Sequence, residues 1–298
     1  MRQISPSPSP TSDGPTQRTG NGTASASGAH PVEADTESWP GRPSTLRAMA
    51  ALVGRLLLHD LRMPTFVILN IIHPLVWLLL FGSLFSGVTR MAGFPTENYM
   101  AFLTPGLMVM TAFFGSAFAG MSLLMDEQHG YLDRLRTSPI SSGVLMASYV
   151  LRAGIMVILQ SLVILAVGWF AGAHIAGGLT GLLLVFVAVF LTGIAFGSLS
   201  NALALTLRRH DAVIGVMNFL MLPLVFTSTM MIARPAMPIW LLHLSLVNPI
   251  DWAVTIARVG FFDFNYDDLW RCLPLLALFA AGMLALAGRS YRRYQLSG

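Results

Sequence analysis

The chain has 298 residues, of which 54% are hydrophobic and only 11% charged, and its mean hydropathy is +0.66. A soluble domain carries about a quarter charged residues, so the composition excludes an ordinary soluble protein and indicates an integral membrane protein. All 18 basic residues are arginine and the net charge is +4. These arginines sit beside apolar stretches and form no separate basic domain, which argues for membrane topology and against a nucleic-acid partner. The single cysteine, Cys272, cannot form an internal disulfide, and no Cys/His spacing suits a metal, so neither a disulfide scaffold nor a metal site is expected.

Residues 1–43 are rich in Ser, Pro, Thr and Gly. They lack the apolar surface to order themselves and are expected to be a disordered tail without a cleavable signal. From residue 44 to 62, Leu46, Met49, Val53, Leu56 and Leu61 recur at helical spacing against Arg47, Arg55, His59, Asp60 and Arg62. This pattern predicts an amphipathic helix in the membrane interface with its basic side toward lipid headgroups. The alternative is a cytosolic extension of the first span. Six spans follow, at about 65–88, 99–124, 143–172, 179–207, 212–233 and 269–288, each near or above the roughly 20 residues that cross a hydrocarbon core. Residues 44–293 thus form one transmembrane domain, and 294–298 a short C-terminal tail.

Arginine sets the orientation. The N-terminal flank, the second and fourth loops and the C-terminus carry eleven, and the opposite face carries four: Arg90, Arg234, Arg258 and Arg271. The basic excess belongs on the cytoplasmic side, so both termini are expected in the cytoplasm. Between the fifth and sixth spans, Trp240 to Val247 is too apolar for a solvated loop and predicts a short re-entrant helix on the outer side. A second helix starts at Asn248 as N-cap, with Pro249 at the first position and Asp251 in the first turn. Asp251, Thr255 and Arg258 then share one face, expected to line or close the outer end of a cavity.

No enzyme motif is present. The predicted spans contain no Asp or Glu, and no nucleophile–base pair or phosphate-binding GxxxxGK[ST] occurs. A passive channel would show a polar stripe along one span, and none does. Arg152 is the one charge well inside a span; it either snorkels or pairs structurally, or it contacts substrate. His73, before Pro74, is either a satisfied polar kink or a ligand site. Both are kept as candidate pathway residues.

The stretch from Met125 to Ser141 is the longest charge-dense segment between apolar spans. Asp126, Glu127, Asp133, Arg134 and Arg136 mix both signs, while Tyr131, Leu132 and Leu135 would give a short helix one apolar face. Gly130 can break the preceding helix, and Ser138 with Pro139 can start the next. Such a stub suits docking against a soluble partner.

The run Glu127, Gly130, Leu132, Asp133, Arg134, Leu135, then Thr137 to Ser141, resembles the cytoplasmic motif of the ABC-2 type permease family, in particular its daunorubicin-resistance-like exporters of drugs and natural products. Asn248-Pro249 followed by Arg258 is similar to a second motif of that family, though Asp251 and Trp252 stand where Thr or Ser and an aromatic are more usual. The resemblance covers residues 45–293. It implies a permease subunit that binds no cofactor itself, ATP and Mg being held by a separate ATP-binding subunit. That subunit would dock on the 125–141 loop as a coupling helix, with Tyr131, Leu132 and Leu135 filling its groove and Arg134 and Arg136 orienting it. Two permeases, as a homodimer or heterodimer, would complete the exporter in the cell membrane. The cargo implied is a hydrophobic drug-like, natural-product or lipid-like molecule; a lipid-linked glycan or polymer is the alternative.

Overall fold

In the computed structural model the apolar sequence becomes helix, with ten α-helices and no strand among the described residues. The structure describes residues 45–62, 64–85, 87, 89, 96, 98–132, 142–230, 232, 234–262 and 266–296; the tail expected over 1–43 lies outside them. The helices are α1 Thr45–Leu61, α2 Pro64–Leu84, α3 Tyr99–Ala117, α4 Ala119–Gln128, α5 Ser142–Phe170, α6 Gly178–Leu207, α7 His210–Phe226, α8 Ile239–Ser245, α9 Pro249–Phe262 and α10 Asp267–Leu296.

Four stretches are long and apolar enough to cross a bilayer: Tyr99–Gln128, Gly143–Phe170, Gly178–Leu207 and Asp267–Leu296. They correspond to the second, third, fourth and sixth expected spans. The first and fifth appear as shorter apolar helices, Ile68–Leu84 and His210–Phe226. At 17 residues α7 is about 25 Å long, slightly under a hydrocarbon core of about 30 Å. Its sequence predicts helix through residue 233, but the helix stops at Phe226, where the backbone of Thr229 and Met230 is taken up by side chains of α9. Helices α8 and α9 meet at 86° and would make a fifth, broken span if counted together. The chain is therefore an all-helical, multi-pass membrane protein.

Helix α6 occupies the centre and packs against α3, α4, α5, α9 and α10. Small residues let it approach its neighbours. A Cβ placed on Gly193 would lie 3.2 Å from the Cα of Gly154 in α5, so the GxxxG of Gly193 and Gly197 is a packing face. The tightest crossing is with α9, where a Cβ on Gly181 would lie 2.0 Å from the carbonyl oxygen of Gly260 and one on Gly260 would lie 2.4 Å from that of Gly181. Backbone faces backbone there, so no side-chain rotamer can relieve the clash. Gly181→Ala is expected to prise α9 from α6 and to cost about 2 kcal/mol, read as a lower unfolding temperature of the detergent-solubilised protein. Gly282→Ala, at a glycine with nothing within 4 Å, is the control and should leave that temperature unchanged.

The second span is interrupted about two thirds of the way along, at Phe118. Helix α3 ends at Ala117 and α4 resumes at Ala119, with Phe118 at φ −106° between them. A break inside an apolar bundle exposes backbone groups that no lipid can satisfy. Here Ser200 Oγ of α6 accepts from Gly120 N at 3.0 Å, and Arg152 Nη2 of α5 donates to Ala119 O at 3.3 Å.

Candidate functional site

One end of the bundle gathers the end of α4, the residues after it, the start of α5, the ends of α6 and α10, and α1. Their apolar residues form a core separate from the main one: Leu52 and Leu56, Leu123, Leu132, Leu145, Met146 and Tyr149, Leu205, Tyr291 and Tyr294. The sequence built it by periodicity. In α10, Ala287, Tyr291 and Tyr294 fall at i, i+4 and i+7 and are buried, while Arg289, Arg292 and Arg293 between them are exposed.

Charge pairs ring this core. Asp126 accepts a hydrogen bond from Tyr149 Oη and lies 3.7 Å from the Arg55 guanidinium, which is itself 3.6 Å above the Tyr131 ring. Glu127 lies 3.9 Å from Arg208, whose guanidinium sits 4.9 Å over Tyr294. Glu127 Oε2 is buried with no partner among the described residues. Gly130 adopts φ +67° and closes α4 through its N–H to Glu127 O at 2.9 Å, the left-handed stop expected of it.

Leu132 requires a correction. The sequence places it on an apolar edge with Tyr131, ready to fill a partner's groove. In the structure it is 1% exposed and packed in the chain's own core, because α1 and α10 supply the apolar surface it needs. Tyr131 is half-buried beneath Arg55. Asp133, Arg134, Leu135, Arg136 and Pro139 lie outside the described residues.

Arg152 is 6% exposed and bound to Asp60 of α1, with Nη1 at 2.8 and 2.9 Å from the two carboxylate oxygens. The helical spacing sets Asp60 on the polar side of α1, toward headgroups; in the structure it ties α1 to α5. Burial pushes its carboxyl above the usual range, and the Arg152 and His59 charges oppose that shift without cancelling it. His73, the other pathway candidate, accepts from Trp77 Nε1 at 3.1 Å and meets the Phe114 ring edge-on at 5.1 Å.

At the opposite end, Asn248 caps α9 as expected, accepting from Ile250 N at 2.8 Å and donating to Leu224 O at 2.7 Å and Thr227 Oγ1 at 2.9 Å; Pro249 opens that helix. The stripe beyond it is bonded within the chain. Asp251 Oδ1 accepts from Thr229 N at 2.7 Å and also from Thr229 Oγ1, and Oδ2 lies 3.6 Å from Arg234. Thr255 accepts from Arg234 at 3.1 Å. Arg258 donates to the carbonyls of Thr229 and Met230 at 2.7 and 2.9 Å and covers the Phe102 ring at 3.9 Å. These residues satisfy the irregular backbone left where α7 stops, so their polarity is used internally as a clamp. Thr229, Arg234 and Asp268 belong to the same network. Sequence reading missed them; the lone Arg234 opposite two acidic helix starts, Asp251 and Asp268, was the available signal.

Residues 47–262 match the family model of the ABC-2 type transporter. The chain belongs to the ABC-2 type transporter family. Among its relatives, "Putative transport permease ycf38" of Cyanophora paradoxa is 33% identical over 214 residues, 72% of this chain and 73% of that one. The "Daunorubicin resistance ABC transporter permease protein DrrB1" of Streptomyces coeruleorubidus is 26% identical over 249 residues, 81% of this chain and 86% of that protein. The "Probable multidrug ABC transporter permease YbhR" of Escherichia coli is 30% identical over 190 residues, covering 62% and 51%. As an ABC-2 permease the chain is a non-catalytic transport subunit. Both clusters lie largely within the matched segment, with α10 closing them from outside it.

Proposed function

We propose that this permease is the membrane subunit of an ATP-driven exporter in the cell membrane. It moves a hydrophobic drug-like, natural-product or lipid-like molecule outward, and a separate ATP-binding subunit holding ATP and Mg drives it. In this reading six segments span the membrane, both termini are cytoplasmic, and two permeases pair as a homodimer or heterodimer. The observation that carries it is the buttressed end around Glu127 to Leu132, where a loop of the family's coupling motif is anchored by its leucine into a core shared by α1, α4, α5, α6 and α10. A loop fixed in that way passes a push to five helices at once, whereas a merely solvated loop would absorb it. The relatives named for daunorubicin and multidrug transport support the cargo class.

The test is affinity purification of the tagged chain from its own membranes. A nucleotide-binding ATPase should come down in comparable amount, and vesicles holding both should concentrate an amphiphile only with ATP. Purification without any ATPase, or transport that ignores ATP, overturns the reading. Orientation is checked with Tyr131→Cys and Tyr266→Cys in a Cys272→Ala background. An impermeant thiol reagent added outside intact cells should label only the Tyr266→Cys protein.

A further inference from the structure

Beside the Asp60–Arg152 pair, between α1, the α3–α4 break and α5, lies a cavity of about 170 Å³ that the coupling role does not use. We propose that it is a binding site for a neutral, single-ring amphiphile bearing a hydroxyl or amide group.

Size comes first. A dry apolar cavity of about 150 Å³ accepts benzene, so this one admits one ring and excludes a whole drug-sized molecule. Its walls fit that occupant: Phe118 and the flexible Met121, Met125 and Met156 line the space, and methionines adapt their shape and contact ring edges favourably. Polarity comes from Asp60 of α1 and from Arg152 and Gln160 of α5. Arg152 Nε and Gln160 Oε1 are buried without a hydrogen-bond partner, leaving one donor and one acceptor unmet in a place where each costs about 1–3 kcal/mol. Gln160 and Arg152 stand eight residues apart in α5, about 12 Å along the helix. One hydroxyl or amide therefore serves one of the two, and its O–H or N–H can donate to Gln160 Oε1. Charge is excluded by the pair itself: a cation would compete with Arg152 for Asp60, an anion with Asp60 for Arg152, and either would strand a buried charge. Water can reach the polar corner, but the thioether side offers it no partners. The mouth opens beside His59 and Met125, whose side chains are exposed, on the α1 side.

The test uses the full chain in nanodiscs and a benzyl alcohol carrying a trifluoromethyl-diazirine. Photolabelling mapped by mass spectrometry should concentrate on Met121, Met125 and Met156 and be displaced by excess para-tert-butylbenzyl alcohol. Ser122→Phe, which fills the cavity from α4, should abolish the displaceable part. Gln160→Leu should weaken the competitor roughly tenfold, the effect of one lost hydrogen bond. Should Ser122→Phe fail to fold, Met125→Trp at the rim makes the same block. Labelling spread evenly over lipid-facing α2 and α7 and indifferent to competitor overturns the site, as does displaceable labelling that survives both blocking variants. The measurement needs no ATPase, so its failure and that of the exporter reading are distinguishable.

Discussion

Arg152→Met is expected to destabilise the permease by about 3 kcal/mol at neutral pH, because it leaves the Asp60 carboxylate beneath α1 without its counter-charge. Removing both charges with Asp60→Leu and Arg152→Met together should recover most of the loss. The asymmetry follows from the environment of Asp60. Its carboxyl is held above the ordinary value of 3.8, burial being the larger cause and Arg152 the opposing one. The folded protein therefore binds that proton more tightly than the unfolded chain does. This contribution to stability is complete at low pH and is lost as pH rises from 3.8 through the folded value. The ion pair offsets its burial only in part, so two apolar side chains replace most of it, the bond from Arg152 Nη2 to Ala119 O being the part they cannot. In Arg152→Met the carboxyl loses its main attraction and should protonate at still higher pH. The defect is then largest at neutral pH and shrinks on acidification. Apparent unfolding temperatures in detergent, compared across pH, read both effects; a drop of roughly 5–10 °C for the single variant is the expected scale. A double variant as unstable as the single one would show that the pair stabilises beyond its own charges.

Much of the architecture was legible in the chain. The long apolar runs became helices, Gly130 stopped α4 in the left-handed region, and Asn248-Pro249 started α9 with the cap bond those residues imply. These are local signals, set within a few residues by backbone sterics and hydrogen bonding. What escaped was decided by distant segments. The break at Phe118 contains no proline, glycines such as Gly115 and Gly120 beside it are common in this chain, and it persists because Ser200 and Arg152 supply bonds from α6 and α5. A helical wheel shows Asp60 on a polar face but not that a span carries Arg152 to the same depth. The face of Asp251, Thr255 and Arg258 was correctly grouped by periodicity. Its surroundings were not, because the early stop of α7 that consumes its hydrogen bonds is itself a consequence of those bonds. Where α helix meets membrane, apolar periodicity reports that a face is buried or lipid-exposed and cannot tell the two apart.

Leu132 is where that ambiguity has the largest consequence, and Leu132→Asp is expected to open the smaller core around it at a cost of about 4 kcal/mol. The leucine is 1% exposed among Leu52, Leu123, Leu145, Leu205 and Tyr291. Truncation alone leaves a cavity worth about 2–3 kcal/mol, and the new carboxylate would be buried without a partner. The two readings of this residue give different results. If Leu132 filled a partner's groove, Leu132→Asp would lose the ATPase while the isolated permease stayed intact. With Leu132 in the chain's own core, the end of α10 loses the cluster that holds Tyr291 and Tyr294. Trypsin should then cut at the exposed Arg292 and Arg293, which the wild-type helix protects by its backbone order. Leu132→Met, similar in volume, should resist trypsin like the wild type. Limited proteolysis of the purified chain, without any ATPase, therefore separates a docking residue from a core residue. Cleavage in Leu132→Asp alone means that the leucine holds together the core shared by α1, α4, α5, α6 and α10.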